Sequence, residues 1–258
     1  MLSAIVVALA AALAVMGTTA AISKRVDRVA VVDVAWGSSF VVIALVLALV
    51  WPDQHSWMLA LLVTIWGGRL AWHILRRSHG AGEDPRYEKM LGGPGWHAGA
   101  AKVLGRVFLT QAVVAFIISA PLQVAAAYDV RWWPVVCVGV VVWAIGLFFE
   151  VVGDRQLAAY KAQPKESRPT ILDTGLWGWT RHPNYFGDAC VWWGLWLAGA
   201  VSLGWVQGLA TVFAPVAMTY FIRNVTGAKL LEKTMSQREG WDAYAARVPL
   251  FFPRPPRA

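Results

Sequence analysis

Long apolar runs separated by polar segments make up most of the chain, and this pattern predicts its secondary structure. A helix needs about 20 apolar residues to cross a bilayer, and the chain holds a series of such runs with few charges. They cover residues 3–22, 34–52, 57–75, 105–127, 132–152, 186–204 and 207–225. We therefore expect an all-α integral membrane protein with seven transmembrane helices. The first run ends in small residues, as a signal peptide does, but it lacks a basic segment before it. We expect it to be retained.

The composition supports lipid as the solvent of these runs. Of the 258 residues, 58% are hydrophobic and 15% are charged, whereas soluble domains carry roughly 25% charged residues. This balance excludes a disordered chain, a coiled coil and an ordinary cytosolic enzyme. No internal repeat or linker divides the sequence, so we expect a single domain over residues 1–258, present as a monomer in the bilayer.

The basic residues predict the orientation of the spans. The net charge of +8 could indicate a nucleic-acid partner, but the charges lie between apolar runs and form no soluble basic face. With the N-terminus outside, all but Arg69 and Arg131 of the 23 Lys and Arg residues fall on the inner side. Cytoplasmic loops are enriched in Lys and Arg. We predict an outside N-terminus, a cytoplasmic C-terminus and no nucleic-acid partner.

Charged side chains at membrane depth are costly unless paired, so each is a candidate for function. Asp33 lies at the mouth of the second run, where a structural ion pair with Arg69 would also explain it. Glu150 and Asp154 lie four residues apart at the inner end of the fifth run, so they should repel each other. Either nearby cations or the hydroxyl and amide groups of a ligand would compensate them.

The densest polar cluster lies between Thr174 and Asp188. Pro183 suits the first turn of a helix, and Arg181 beside the free N–H groups of that turn could bind an anion. Asn184, Asp188 and Trp192 follow at four-residue intervals, which predicts one polar face entering the membrane. At the end of the seventh run, Arg223, Gly227 and Leu231 have the same spacing, and we expect them to share a helix face.

Several common sites have no counterpart in the sequence. It contains no G-x-G-x-x-G or P-loop motif, no H-E-x-x-H pair and no G-x-S-x-G elbow. The cysteines and histidines show no metal-ligand spacing. We expect no metal, and a dinucleotide would not be bound by a Rossmann domain.

Six short stretches together resemble the signature of the steroid 5α-reductase family, in its bacterial branch. They are Val32–Gly37, Gly82–Tyr87, Phe149–Leu157, Thr174–Trp177, Arg181–Asp188 and Leu230–Lys233. The resemblance implies a seven-helix reductase that uses NADPH to reduce an α,β-unsaturated ketone, such as a 3-oxo-Δ4-steroid. It also implies a bacterial inner membrane, with the cofactor on the cytoplasmic side.

The resemblance assigns roles to particular residues. Hydride attack places negative charge on the carbonyl oxygen, which needs a proton donor, and Asp33 and Tyr87 are the candidates. Asp33 would be protonated itself or would hold the donor. Positions matching NADPH-binding residues of the family are Asp154, Lys161, Arg168, Asn184, Tyr185, Asp188, Trp192 and Arg223. To these we add Glu150, Arg181 and Glu232, of which the two glutamates could instead contact only structural cations.

Two other classes remain open. Membrane methyltransferases that use S-adenosylmethionine carry a similar Arg-His-Pro stretch, but they usually have a Glu-Glu pair where this chain has Leu231 and Glu232. This departure, with the motifs around Asp33 and Tyr87, favours the reductase. A transporter would show inverted repeats or broken helices, and the sequence shows neither.

Overall fold

The computed structural model describes residues 1–225 and 227–255, which fold into helices and loops with no strand among them. Arg257, one of the basic residues counted above, lies outside this part of the chain. The α-helices are α1 (Leu2–Arg25), α2 (Val31–Val50), α3 (Gln54–Ser78), α4 (Pro85–Leu91), α5 (Ala100–Val103), α6 (Thr110–Ile118), α7 (Ala120–Ala125), α8 (Trp133–Ala162), α9 (Pro183–Gly199), α10 (Trp205–Thr211), α11 (Phe213–Tyr220), α12 (Ala228–Met235) and α13 (Trp241–Arg247). Two π-helical turns, Leu104–Leu109 and Phe221–Val225, continue α5 and α11.

Seven stretches of the described chain are long and apolar enough to cross a membrane, which confirms the predicted number. They are Leu2–Arg25, Val31–Val50, Gln54–Ser78, Ala100–Ile118, Trp133–Ala162, Pro183–Leu203 and Trp205–Met235. These helices indicate an integral membrane protein. The side on which each terminus lies stays a prediction.

The ends of the spans differ from those that the apolar pattern predicts. α3 begins at Gln54 because Asp53 caps it: one carboxylate oxygen accepts hydrogen bonds from the N–H groups of His55 (2.8 Å) and Ser56 (3.0 Å). α8 continues past residue 152 to Ala162. The predicted run 105–127 is split, since its helix ends at Ile118 and α7 follows with a proline in its first turn.

The chain divides into two compact units. The first consists of Met1–Trp132 and Gly199–Thr211, and the second of Trp133–Ala198 and Val212–Ala258. In the first unit, α2 and α3 touch through glycines, since a Cβ on Gly37 would lie 2.6 Å from the Gly67 carbonyl oxygen. Phe40 and Trp66 are fully buried beside this contact. α2, which carries Asp33, is thereby held firmly against α3.

Glycines also join α8 to α9 in the second unit. They recur every seventh residue, at Gly139, Gly146 and Gly153 on α8 and at Gly187 and Gly194 on α9. A Cβ on Gly146 would lie 2.5 Å from the Gly187 carbonyl oxygen. Lipid offers no hydrophobic drive between helices, so membrane helices associate where small residues let their backbones meet. We call this contact the glycine seam.

The glycine seam brings the end of α8 to the beginning of α9. A Cβ on Gly139 would meet the Ala198 nitrogen at 2.6 Å, whereas one on Gly153 would lie 3.3 Å from the Asn184 nitrogen. The two helices are therefore antiparallel. α9 begins at Pro183, as predicted for its first turn. The carboxylates near the end of α8 thus lie beside the polar start of α9.

Replacing Gly146 by alanine should destabilise the protein, because the new methyl group would overlap the Gly187 oxygen (2.5 Å) and the Val191 nitrogen (2.6 Å). Overpacking such a contact costs roughly 1–3 kcal/mol. Thermal unfolding of the purified protein in detergent measures the effect. Gly68→Ala on α3 is the control, because nothing lies within 4 Å of the added atom. Equal unfolding temperatures for the two variants would contradict the glycine seam.

Candidate functional site

Asp33, in the first turn of α2, is held by two side chains of α4. Its Oδ2 accepts a hydrogen bond from Arg86 Nη2 at 2.9 Å, and its Oδ1 accepts one from the Tyr87 hydroxyl. Tyr87 is 8% exposed, and its burial, with the negative charge of Asp33, raises the pKa of the phenol. Tyr87 therefore keeps its proton near neutral pH and acts as a hydrogen-bond donor. The predicted pair of Asp33 and Tyr87 is in direct contact.

The sequence around Tyr87 explains this arrangement. Asp84 caps α4, since its Oδ1 accepts from the Arg86 N–H at 2.8 Å, and Pro85 occupies the first turn. The Arg86 side chain also contacts Asp84 Oδ2 at 2.8 Å, which lowers the pKa of Asp84. Arg86 therefore bridges Asp84 and Asp33. Arg69 was the candidate partner of Asp33 from the sequence, and Arg86 was not predicted, although Arg86 lies within one of the family stretches.

In the second unit, Asn184 on α9 compensates one of the two carboxylates of α8. Asn184 Nδ2 donates to Asp154 Oδ1 at 3.2 Å, and Asn184 Oδ1 accepts from the Tyr185 N–H at 3.1 Å. Asp154 is 9% exposed and Glu150 is 3% exposed. The acidic pair thus lies inside the protein, and the donor shown for Asp154 is the amide of Asn184, which neither of the two predicted alternatives included.

The Arg181 side chain forms hydrogen bonds with other residues of the second unit. Its Nε donates to Glu232 Oε1 at 2.7 Å, and its Nη2 donates to Glu232 Oε2 at 3.3 Å. Its Nη1 donates to the carbonyl oxygens of Ala245 (2.9 Å) and Val248 (2.8 Å), while the guanidinium lies 5.6 Å from the ring centre of Trp241. All three nitrogens are engaged. Arg181, predicted to bind an anion, ties the C-terminal segment to the turn before α9.

Glu232 has a second partner, His182. The distance from His182 Nε2 to Glu232 Oε1 is 3.2 Å, and His182 is 1% exposed. The His182 ring stacks on Tyr185, with 5.6 Å between the ring centres. Through Arg181, Glu232 contacts a structural cation, which was one of the two alternatives for this residue. No role of His182 was predicted from the sequence.

Arg223 lies on the π-helical turn Phe221–Val225. Its Nε is buried, and within residues 1–225 and 227–255 it has no hydrogen-bond partner. A buried N–H of a cation without an acceptor is costly. An anionic ligand would supply that acceptor, so Arg223 fits a phosphate-binding role.

The expected common face of Arg223, Gly227 and Leu231 is wrong. Gly227 has φ −116° and ψ −114°, so the helix is interrupted there and α12 starts at Ala228. The four-residue spacing applies only within a continuous helix. A Cβ on Gly227 would lie 1.9 Å from the Ile222 carbonyl oxygen. Glycine fits here because the Ile222 carbonyl oxygen occupies the space that a Cβ would need.

The remaining predicted cofactor residues lie on α8, on α9 and in the loop that follows α8. Lys161 is exposed near the end of α8, and Arg168 in the following loop donates from Nη1 to the Lys161 carbonyl oxygen at 3.4 Å. Arg168 also lies 5.1 Å from the centre of the Tyr160 ring. On α9, Asp188 is half-buried and Trp192 is fully buried. Asn184, Asp188 and Trp192 do follow one another along a single helix.

Several hydrogen bonds that were not predicted from the sequence connect residues 244–251 to the segment before α9. Thr180 Oγ1 donates to the Phe251 carbonyl oxygen at 2.9 Å, and the Arg181 N–H donates to the Pro249 carbonyl oxygen at 3.0 Å. The Tyr244 hydroxyl donates to the Trp177 carbonyl oxygen at 2.8 Å. These partners are about 65–75 residues apart, so no local spacing in the sequence could have indicated them.

One family model, described as "Protein of unknown function (DUF1295)", matches residues 19–248. No curated protein and no solved structure matches the chain.

Replacing Glu232 by glutamine should lower the unfolding temperature, because Arg181 and His182 would lose a charged acceptor. Hydrogen bonds to charged groups contribute about 1.5–3 kcal/mol each. Thermal unfolding in detergent is the measurement, with Glu239→Gln at an exposed position of the same segment as the control. If both variants unfolded at the wild-type temperature, Glu232 would not fasten the C-terminal segment.

Proposed function

Since the chain belongs to the DUF1295 family, which is related to steroid 5α-reductases, we propose that it is an NADPH-dependent membrane reductase. Its reaction would be reduction of the C=C bond of an α,β-unsaturated ketone, such as a 3-oxo-Δ4-steroid or a similar apolar enone. The observation that carries this proposal is the neutral Tyr87 hydroxyl, held by Asp33 where α2 begins. An apolar substrate could reach this donor from the bilayer.

The chemistry assigns different tasks to Asp33 and Tyr87. When bound, NADPH supplies the hydride that adds to the β-carbon. The π electrons then move to the carbonyl oxygen, which becomes an enolate and needs a hydrogen-bond donor. In the free protein the single O–H of Tyr87 donates to Asp33, which holds the phenol in place while Arg86 balances the carboxylate charge. When the enolate forms, that O–H turns to the enolate oxygen, and water gives a proton to the α-carbon, which leaves hydroxide and the reduced ketone.

The proposed cofactor residues belong to the second unit. Arg223, Lys161 and Arg168 would hold phosphates through charge-assisted hydrogen bonds. Asn184 and Asp188 would orient the carboxamide or sugar.

The other residues of the set shape or support this region. Trp192, Tyr185 and Asp154 would line it, whereas Glu150, Arg181 and Glu232 would keep the lining residues in place. The buried Nε of Arg223, with no acceptor in the described chain, is the feature that best fits an anionic group. We place this region on the cytoplasmic side of a bacterial inner membrane.

Methyl transfer from S-adenosylmethionine is the alternative. The contacts of Arg181 and His182 with Glu232 suit the membrane methyltransferases that carry a similar Arg-His-Pro stretch. The two proposals differ in their cofactor, so a binding measurement separates them.

Titrating the purified protein in detergent with NADPH should change the nucleotide's fluorescence, whereas S-adenosylmethionine should not compete. Arg223→Gln should weaken NADPH binding about 10–100-fold, as the loss of one hydrogen bond to a charged group implies. Lys229→Gln, at an exposed position of α12, is the matched control and should bind as the wild type does. Binding of S-adenosylmethionine without binding of NADPH would refute the reductase.

Replacing Tyr87 by phenylalanine should lower kcat for reduction of progesterone by about 100-fold or more, since removing one hydrogen-bond donor to a developing oxyanion costs roughly that much. NADPH affinity should be unchanged. Asp33→Asn should also lower kcat, because the hydroxyl would lose its charged partner. Tyr128→Phe, an exposed tyrosine of the same unit, serves as the control. Wild-type turnover in both the Tyr87 and Asp33 variants would remove these residues from the mechanism.

A further inference from the structure

The carboxylate of Glu83 joins the loop before α4 to the segment before α2. Its Oε2 accepts a hydrogen bond from the Val29 N–H at 2.5 Å, and its Oε1 accepts one from the Ala30 N–H at 2.9 Å. Oε1 also accepts from the Asp84 N–H at 3.0 Å. One side chain therefore holds backbone groups that are more than 50 residues apart in the sequence.

These hydrogen bonds are strong constraints because of where they lie. N–H groups at the start of a helix have no acceptor one turn earlier, and Val29 and Ala30 are 0% and 6% exposed. Buried N–H groups without an acceptor are costly. The negative charge of Glu83 also interacts favourably with the positive end of the α2 dipole. The loop is thus fixed at this point by geometry and by charge.

Two short rigid turns connect Glu83 to the Asp33–Tyr87 pair. On one side, the Asp33 N–H donates to the Ala30 carbonyl oxygen at 3.1 Å. On the other side, the Tyr87 N–H donates to the Asp84 carbonyl oxygen at 2.9 Å. Fixing residue 83 against residues 29 and 30 therefore fixes the separation of the carboxylate and the phenol.

Apolar packing around this region is less directional. Tyr87 packs in a cluster with Val29, Ala30, Val32 and Leu91. Hydrophobic contact has no preferred direction, so it would allow α4 to slide or turn by small amounts. A hydroxyl–carboxylate hydrogen bond loses most of its strength when its angle or distance changes by that much.

We propose that Glu83 is the positioning residue of the Asp33–Tyr87 pair, holding α4 against the start of α2 so that the hydroxyl faces the carboxylate. Glu83 itself contacts backbone groups and need not touch a substrate. The expected loss of turnover rests on the proposed reductase function, whereas the expected loosening of α4 does not.

Amide hydrogen exchange tests whether Glu83 holds the Val29 and Ala30 N–H groups, and it needs no enzymatic reaction. In Glu83→Gln, one acceptor oxygen becomes an NH2 group, so the Val29 and Ala30 amides should exchange about tenfold faster or more than in the wild type. Glu88→Gln, an exposed glutamate on the same α4 helix, is the matched control and should leave them unchanged. Unchanged exchange in the Glu83 variant would overturn the proposal.

Turnover tests the positioning role. Glu83→Gln should lower kcat for progesterone by about tenfold or more, with the KM for progesterone and the NADPH affinity unchanged, because only the transition-state interaction is misaligned. Thermal unfolding identifies variants that lose activity by unfolding. Faster amide exchange with wild-type kcat would show that Glu83 is structural only, and would overturn the proposal.

The hydrogen bond of Tyr87 gives a reading that needs no substrate. The Raman Fermi doublet of a tyrosine reports whether its hydroxyl donates a strong hydrogen bond, and subtracting the spectrum of the Tyr87→Phe version isolates this phenol. Glu83→Gln should weaken the donation from Tyr87 to Asp33; an unchanged doublet would overturn the positioning role. If the wild type reduced no enone, the proposed function would fail while this result still decided the role of Glu83. Should Glu83→Gln not fold, Glu83→Asp, which keeps the charge on a shorter side chain, takes its place with the same expected direction.

Discussion

Direct backbone contact between α8 and α9 decides where the charged groups of the second unit lie. With glycine every seventh residue, the backbones of the two helices meet at each of these glycines between Gly139 and Gly153. The register is therefore set by the peptide groups themselves. Gly153 meets the start of α9, and the next residue, Asp154, receives the amide of Asn184. A wider contact would move Asp154 away from its donor and leave a buried carboxylate with poorer compensation.

In both units, carboxylates near helix ends accept hydrogen bonds from side chains of other segments. A carboxylate near the hydrocarbon region costs several kcal/mol unless donors reach it. Asp33 receives Arg86 and Tyr87, Asp154 receives Asn184, and Glu232 receives Arg181 and His182. In each case at least one donor comes from a distant part of the sequence. Each acid thus fixes the position of a particular loop or helix start, which apolar packing alone would leave adjustable.

The sequence was sufficient for the number of spans because bilayer thickness sets the length of an apolar run. It was not sufficient for their ends, since polar residues such as Arg155 and Lys161 continue α8 where the apolar pattern stops. The family stretches indicated a shared role for Asp33 and Tyr87, but they did not predict that the two side chains are in contact. Arg86 and Glu83 were missed because their partners lie more than 50 residues away.

The end of the seventh span shows why spacing alone misleads where a helix is irregular. A π-helical turn has about one more residue per turn than an α-helix, and Gly227 then leaves the helical conformation altogether. Residues four apart around position 225 therefore cannot be assigned to one face from the sequence. A short spacing rule presupposes the continuity that functional helices often lack.

The arginine side chains of the second unit differ in which protein groups already compensate their positive charge. Arg181, in the most recognisable motif, forms its ion pair with Glu232 and has carbonyl partners on its remaining side. Arg168 contacts a carbonyl oxygen and the Tyr160 ring, neither of which carries a formal charge. The Nε of Arg223 has no acceptor in the described chain. A multiply charged ligand gains most from cations whose charge is not yet balanced. The case for a phosphate-bearing cofactor therefore rests on Arg223 and Arg168, and Arg181 contributes by fixing the turn from which α9 starts.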